Sequence, residues 1–172
     1  ILCMIFWQFL KILNNKSYKF FNFDKTNIPY FFLIMLIFIQ IVIGAFVSGL
    51  DAGKIYQSWP LMGQNYIPDD LSFNKFEDYV DFDNHSLVQF YHRNFAYLIL
   101  IYILILSFSI LKRGDKNKIK AVIILLLVLS LQIILGIFTL LSDLHITLAL
   151  GHQIIGIILI LSTINLYFSV NK

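Results

Sequence analysis

The polar positions of this chain fall in clusters, and the clusters divide it. Between them lie four stretches almost free of charge, at residues 29–50, 87–111, 119–141 and 146–170. A helix rises about 1.5 Å per residue, and about 20 apolar residues cross the hydrocarbon core of a bilayer. Each stretch reaches that length, so each is expected to be a transmembrane helix. A fifth apolar stretch, 1–13, is too short to cross. It has neither the basic start nor the small-residue cleavage site of a signal peptide. It is read as the end of a transmembrane helix that begins upstream, with the chain a piece of a longer protein. The expected fold class is all-α: a polytopic membrane protein with a four-helix transmembrane bundle, preceded by a partial helix. Its parts are the truncated helix end at 1–13, a linker at 14–28 and the bundle at 29–172, with a long loop at 51–86.

The loops set an orientation. The linker carries Lys16, Lys19 and Lys25, and Pro29 suits the first turn of the next helix with Thr26 or Asn27 as its cap. The loop 51–86 holds seven acids against Lys54 and Lys75. The connection 112–120 holds five basic residues and Asp115, and the chain ends in Lys172. Short basic loops stay on the cytoplasmic side. The linker, 112–120 and the carboxyl terminus are therefore expected inside, and the loop 51–86 and the turn 142–145 outside.

Composition agrees with the pattern. The 172 residues are 59% hydrophobic and 13% charged, where a soluble domain carries about 25% charged residues. The net charge of +3 comes from loops and argues for no nucleic-acid partner. The lone Cys3 excludes an intrachain disulfide and a cysteine-based metal cluster.

Candidate chemistry sits at two histidines. QFYHRN, residues 89–94, places His92 and Arg93 at the mouth of an uncharged run. An ionisable group inside a membrane is costly and is by default a candidate functional site; the alternative for His92 alone is an interfacial anchor at a helix end. His152 stands in the same situation 60 residues on. The pair belongs to an internal repeat. FIQIVIGAFVSG, 38–49, and SLQIILGIFTLL, 130–141, share Q-I-x-x-G-x-F, with Gln40, Gly44 and Phe46 against Gln132, Gly136 and Phe138. Each such helix precedes one with a histidine about two turns inside its outer end. The bundle is thus read as two helix-pair repeats, a known building principle in membranes.

Two imidazoles facing across a bundle, with Gly44 and Gly136 where a flat ring passes, suit an iron porphyrin held by two axial histidines. Gly151 and Gly156 beside His152 fit the same idea, although close helix packing explains any one glycine as well. Zinc suits the pattern poorly, because no third ligand lies at that depth. Arg93 is placed to pair with a haem propionate or to anchor at the headgroups. Gln40 and Gln132 lie deeper and need partners across helices; they are read as structural. His85 and His145, each seven residues before a buried histidine, are read as solvated loop residues.

The chain resembles the carboxyl-terminal half of the heme A synthase family, in its mitochondrial and proteobacterial form. The residues that carry the resemblance are GAFVSGLDAGKIYQSWPLMGQNYIPDD at 44–70, VQFYHR at 88–93 and ALGHQ at 149–153. The resemblance implies an oxidoreductase that converts the C8 methyl of heme O to the formyl of heme A for the terminal oxidase. It implies two pseudo-symmetric four-helix halves, the amino-terminal one taking the substrate. This half would hold a heme b cofactor with His92 and His152 as axial ligands. Implied partners are heme O, the lipid bilayer and the missing amino-terminal half, with heme O synthase, an electron donor or a second copy as further ones. The implied location is a bacterial plasma membrane or the mitochondrial inner membrane.

The family's catalytic half reads E-x-x-H-R, whereas this chain has Gln89 in the acid's place. A neutral amide cannot act as a carboxylate base, so no catalytic residue is expected here. Tyr91 stands where relatives often carry an acid, and the outer loop has no cysteine pair. Two other readings stand beside it: a bis-histidine b-type cytochrome for electron transfer, which explains the histidines but not the loop after residue 48, and a haem-free membrane scaffold or transporter built on the same repeat, which needs neither histidine.

Overall fold

The computed structural model describes residues 1–171, without the side chain of Asn117. Lys172, counted above among the inner basic residues, lies outside the described residues. The described residues form five α-helices: α1 Leu2–Asn14, α2 Ile28–Gly49, α3 His85–Arg113, α4 Lys116–Leu141 and α5 Ile146–Val170. Four of them are long and apolar enough to cross a membrane, and no strand occurs among the described residues. This is an all-helical, multi-pass membrane protein.

Local chemistry explains the boundaries. Pro29 occupies the first turn of α2, where its missing N–H costs nothing. Asn27 sits at the cap position, but its side chain makes no cap bond and reaches Asn171 Oδ1 at 3.2 Å instead. α3 starts earlier than the hydrophobic pattern suggests, because Asn84 accepts a bond from the Leu87 N–H at 3.1 Å. It ends at Gly114, whose φ of 74° reverses the chain. Only Gly114 and Asp115 then separate α3 from α4, so most of the basic connection 112–120 is helical. Lys112 and Arg113 lie in the last turn of α3, where the helix dipole favours cations.

The helices close a ring. α2 packs on α3, α3 on α4, α4 on α5 and α5 on α2, while α1 docks on α5. Lipid tails are as apolar as leucine, so close packing rather than escape from water holds such helices together. That packing is concentrated at the end carrying the linker, here termed the linker end. Leu33, Ile37, Ile103, Val122, Leu125 and Ile164 are all fully buried there. Trp7 completes it, with ring centroids 5.1 Å from both Phe20 and Phe168. Tyr167 Oη donates to the Phe20 carbonyl at 2.7 Å, which ties the linker to α5.

The opposite end, the loop end, is built differently. α4 beyond Leu129 and α5 before Leu159 contribute no buried residue. The loop 50–84 roofs this half instead. Ala52 and Met62 are buried in it. A Cβ on Gly53 would lie 2.7 Å from Leu144 Cδ2, so the α4–α5 turn seats closely against the loop there and a larger residue would make the leucine shift. Gln57 also donates to Asp143 in that turn.

Candidate functional site

Gln40 and Gly44 are four residues apart on α2, which stacks them on one face. That face meets α3 at His92. A Cβ on Gly44 would stand 3.1 Å from His92 Cε1, so the absent side chain makes room for the imidazole. Gln40 Nε2 lies 3.1 Å from His92 Nδ1 and donates to the His92 carbonyl at 2.9 Å.

The second helix pair repeats this arrangement. A Cβ on Gly136 would stand 2.8 Å from His152 Cε1. Gln132 Nε2 lies 3.3 Å from His152 Nε2, and His152 Nδ1 lies 3.1 Å from the Gln132 carbonyl. The shared Q-x-x-x-G pattern is therefore a cradle for an imidazole, used twice. The partners that Gln40 and Gln132 require across helices are the histidines themselves. The signal for that role was present as the fixed four-residue spacing of glutamine and glycine in both repeats. The side-chain oxygens of both glutamines, Oε1, are buried without a partner.

Gly151 and Gly156 serve helix packing. A Cβ on Gly156 would meet Gln132 Nε2 at 3.4 Å, and one on Gly151 would meet Leu135 at 3.8 Å. Both face α4 at ordinary contact distances.

Arg93 faces the roof. Its guanidinium donates to the carbonyls of Ser58 at 2.9 Å, Leu61 at 3.3 Å and Tyr56 at 2.9 Å. Gln89 Nε2 donates to the same Tyr56 carbonyl at 2.9 Å. The first turns of α3, next to His92, thus hold the loop in place. Tyr91 Oη donates to the Tyr79 carbonyl at 2.8 Å and takes part in the same anchoring. Asp70 fixes the loop further along, accepting from Ser86 Oγ at 2.6 Å and Tyr56 Oη at 2.7 Å. Burial works against its charge, but these two hydroxyls outweigh that and hold its carboxyl below the usual carboxylate range. His85 and His145 are exposed at the helix starts, and His145 Nδ1 pairs with Thr147 Oγ1 at 2.8 Å.

The donor set limits what can bind. Among the described residues no three His, Cys, Asp or Glu side chains gather to hold a metal ion. A structural or catalytic zinc needs three or four protein ligands. A porphyrin iron needs only two, and His92 and His152 both lie toward the loop end, where α4 and α5 contribute no buried residue. His152 Nδ1 lies opposite a carbonyl, the usual outer partner of a metal-bound imidazole, while the Gln132 amide nitrogen stands 3.3 Å from its Nε2. The residues present fit a haem.

Residues 1–164 match the sequence model of a family described as cytochrome oxidase assembly protein. Heme A synthase of Pelagibacter ubique (strain HTCC1062) is 44% identical over 163 residues, covering 95% of this chain and 47% of that protein. Heme A synthase of Wolbachia sp. subsp. Brugia malayi (strain TRS) is 40% identical over 155 residues, covering 83% and 44%. That of Rickettsia felis (strain ATCC VR-1525 / URRWXCal2) is 38% identical over 135 residues, covering 78% and 40%. The chain spans about half the length of the curated relatives it matches. No solved structure matches it.

Proposed function

We propose, for a chain that belongs to the cytochrome oxidase assembly protein family, that it is the cofactor-holding half of a heme A synthase, with a b-type haem between His92 and His152. The observation that carries this reading is the doubled Gln–Gly–His cradle, at Gln40, Gly44 and His92 and again at Gln132, Gly136 and His152. The complete enzyme oxidises the C8 methyl of heme O to the formyl of heme A, an oxidoreductase activity housed in its other half. His92 and His152 would hold the haem, and the bound group would supply one-electron transfer.

The chain's own residues hold and shield that group. The histidines provide the ligands, and the glycines admit their rings. Arg93 and Gln89 keep the loop 50–84 closed over the site and limit water. The Arg93 guanidinium is the nearest candidate for a propionate partner, in exchange for its loop carbonyls. Purified complete protein should show the optical spectrum of a low-spin bis-imidazole haem. A haem-free protein with full synthase activity would remove this reading.

Two further outcomes are expected. The first follows from the lysine asymmetry between loops. Cysteines introduced in the loop 51–86 should react with an impermeant thiol reagent from outside, and ones at 112–116 should not. The reverse labelling would place the histidines in the other leaflet.

The second concerns Gln89. Its amide gives the Tyr56 carbonyl one of two hydrogen bonds, and Arg93 gives the other. A neutral hydrogen bond contributes about 1 kcal/mol. Gln89→Ala in the complete protein should therefore retain most heme A formation, measured by pigment extraction. Loss of activity with haem retained would show that position 89 takes part in the chemistry.

A further inference from the structure

We propose that the linker end of α3 binds an anionic phospholipid, with an acyl chain against Phe108 and the phosphate at Lys112 and Arg113. Two observations meet there, and neither depends on the haem reading.

The first is a shallow apolar groove along α3, lined by Leu104, Ile105, Phe108, Ser109 and Leu111. Phe108 is 69% exposed and Ile105 58%. The hydroxyl of Ser109 donates to the Ile105 carbonyl at 3.1 Å, so the groove offers hydrocarbon contacts. From residue 104 to residue 111 a helix rises about 10 Å. That length fits within one leaflet of a bilayer whose hydrocarbon core is about 30 Å thick.

The second is charge. Ile105, Phe108 and Lys112 are spaced as i, i+3 and i+7, which stacks them on one stripe of the helix. Lys112 therefore stands about 6 Å along the axis from Phe108, at the end of the groove. Arg113 follows it, and the two-residue turn brings Lys116 and Lys120 of α4 close behind. All four are exposed. The nearby acid, Asp115, pairs with Lys118 at 2.7 Å. Among the described residues no carboxylate forms an ion pair with the other four. Like charges this close repel, and an anion placed among them relieves the repulsion.

An anion with an apolar tail answers both features at once. A free phosphate would leave the groove uncovered, and a zwitterionic lipid would bring its own cation to the basic turn. The fold leaves the stripe open to lipid. α1 docks on α5, which lies across the ring from α3, so chain leading into α1 reaches the ring on the α5 side.

The test is native mass spectrometry of the complete protein, equilibrated in detergent with equal amounts of phosphatidylglycerol and phosphatidylcholine. Phosphatidylglycerol should be retained in preference. A basic side chain near an anionic lipid contributes about fivefold in affinity, so Lys112→Gln combined with Arg113→Gln should cut retention roughly 25-fold. Phe108→Ala should weaken retention with every charge in place. Lys16→Gln combined with Lys19→Gln removes as much charge from the linker and should leave retention unchanged. Equal retention of the two lipids would overturn the proposal. So would equal losses in the two double variants, which mark bulk charge and no site, or retention untouched by Phe108→Ala. A nitroxide attached at Phe108→Cys in phosphatidylglycerol vesicles checks the groove directly. It should be accessible to oxygen dissolved in the bilayer. Protection from that oxygen would show that a second copy or the amino-terminal half covers the stripe, and would equally overturn the proposal.

Discussion

Replacing His92 or His152 by alanine should abolish the low-spin haem of this half. Of the four histidines only His92 and His152 are withdrawn from the surface, and among the described residues no cluster of His, Cys, Asp or Glu stands ready to substitute. Disturbing an outer-shell partner of a metal ligand already costs roughly 10–100-fold in affinity, and loss of the ligand should cost no less. The remaining haem should be high-spin, with water or nothing in the vacated position. The other haem site of the complete protein should be less affected. His85→Ala and His145→Ala are the controls, because both side chains are exposed at helix starts. They should leave the spectrum unchanged. Survival of the low-spin band in His92→Ala, with its loss on changing an exposed histidine, would reverse the ligand assignment.

Gly136→Ala should have the second largest effect, through a single methyl group. Its Cβ would stand 2.8 Å from His152 Cε1 and 3.3 Å from Nδ1. Carbon atoms do not approach so closely, so the ring must move off its carbonyl partner. Overpacking of this kind costs roughly 1–3 kcal/mol, and each 1.4 kcal/mol is about tenfold in affinity. Haem retention should fall accordingly, as read by titration or by haem content after purification. Gly44→Ala should act in the same direction but less, since its contact with His92 is longer, at 3.1 Å. Gly49→Ala is the control, with nothing within 4 Å of the added carbon. Alanine is the better helix former by about 1 kcal/mol. A loss confined to positions 44 and 136 therefore reports on the imidazoles and not on the helices. Equal behaviour of all three variants would show that the glycines do not seat the rings.

The spans were legible because a membrane helix announces itself by length and uniform apolarity, and all four expected stretches are helices. The bounds moved where local chemistry overrode hydropathy. Asn84 extended α3 at its start, and Gly114 turned the chain so sharply that basic residues 116–120 joined α4. The repeat was legible as spacing, but its purpose was not. A glutamine in an apolar helix needs a partner, yet composition does not say which neighbour supplies it. That became clear only when α2 met α3 and α4 met α5, with each glutamine on a histidine. Arg93 was harder still. Its position suggested a carboxylate or headgroup partner, whereas three loop carbonyls take its donors. The loop folds back by contacts between residues far apart in sequence, such as Gly53 with Leu144. No local pattern encodes those.

The central claim is that His92 and His152 together ligate one haem. The most direct measurement is near-infrared magnetic circular dichroism and electron paramagnetic resonance on the complete, oxidised protein, with the haem ligands of the other half replaced. Only the pair described here then remains. One low-spin ferric haem per protein is expected, with two imidazole ligands, lost when either His92 or His152 is also changed. A haem-free protein, or one whose haem is high-spin or has an axial ligand other than imidazole, would contradict it.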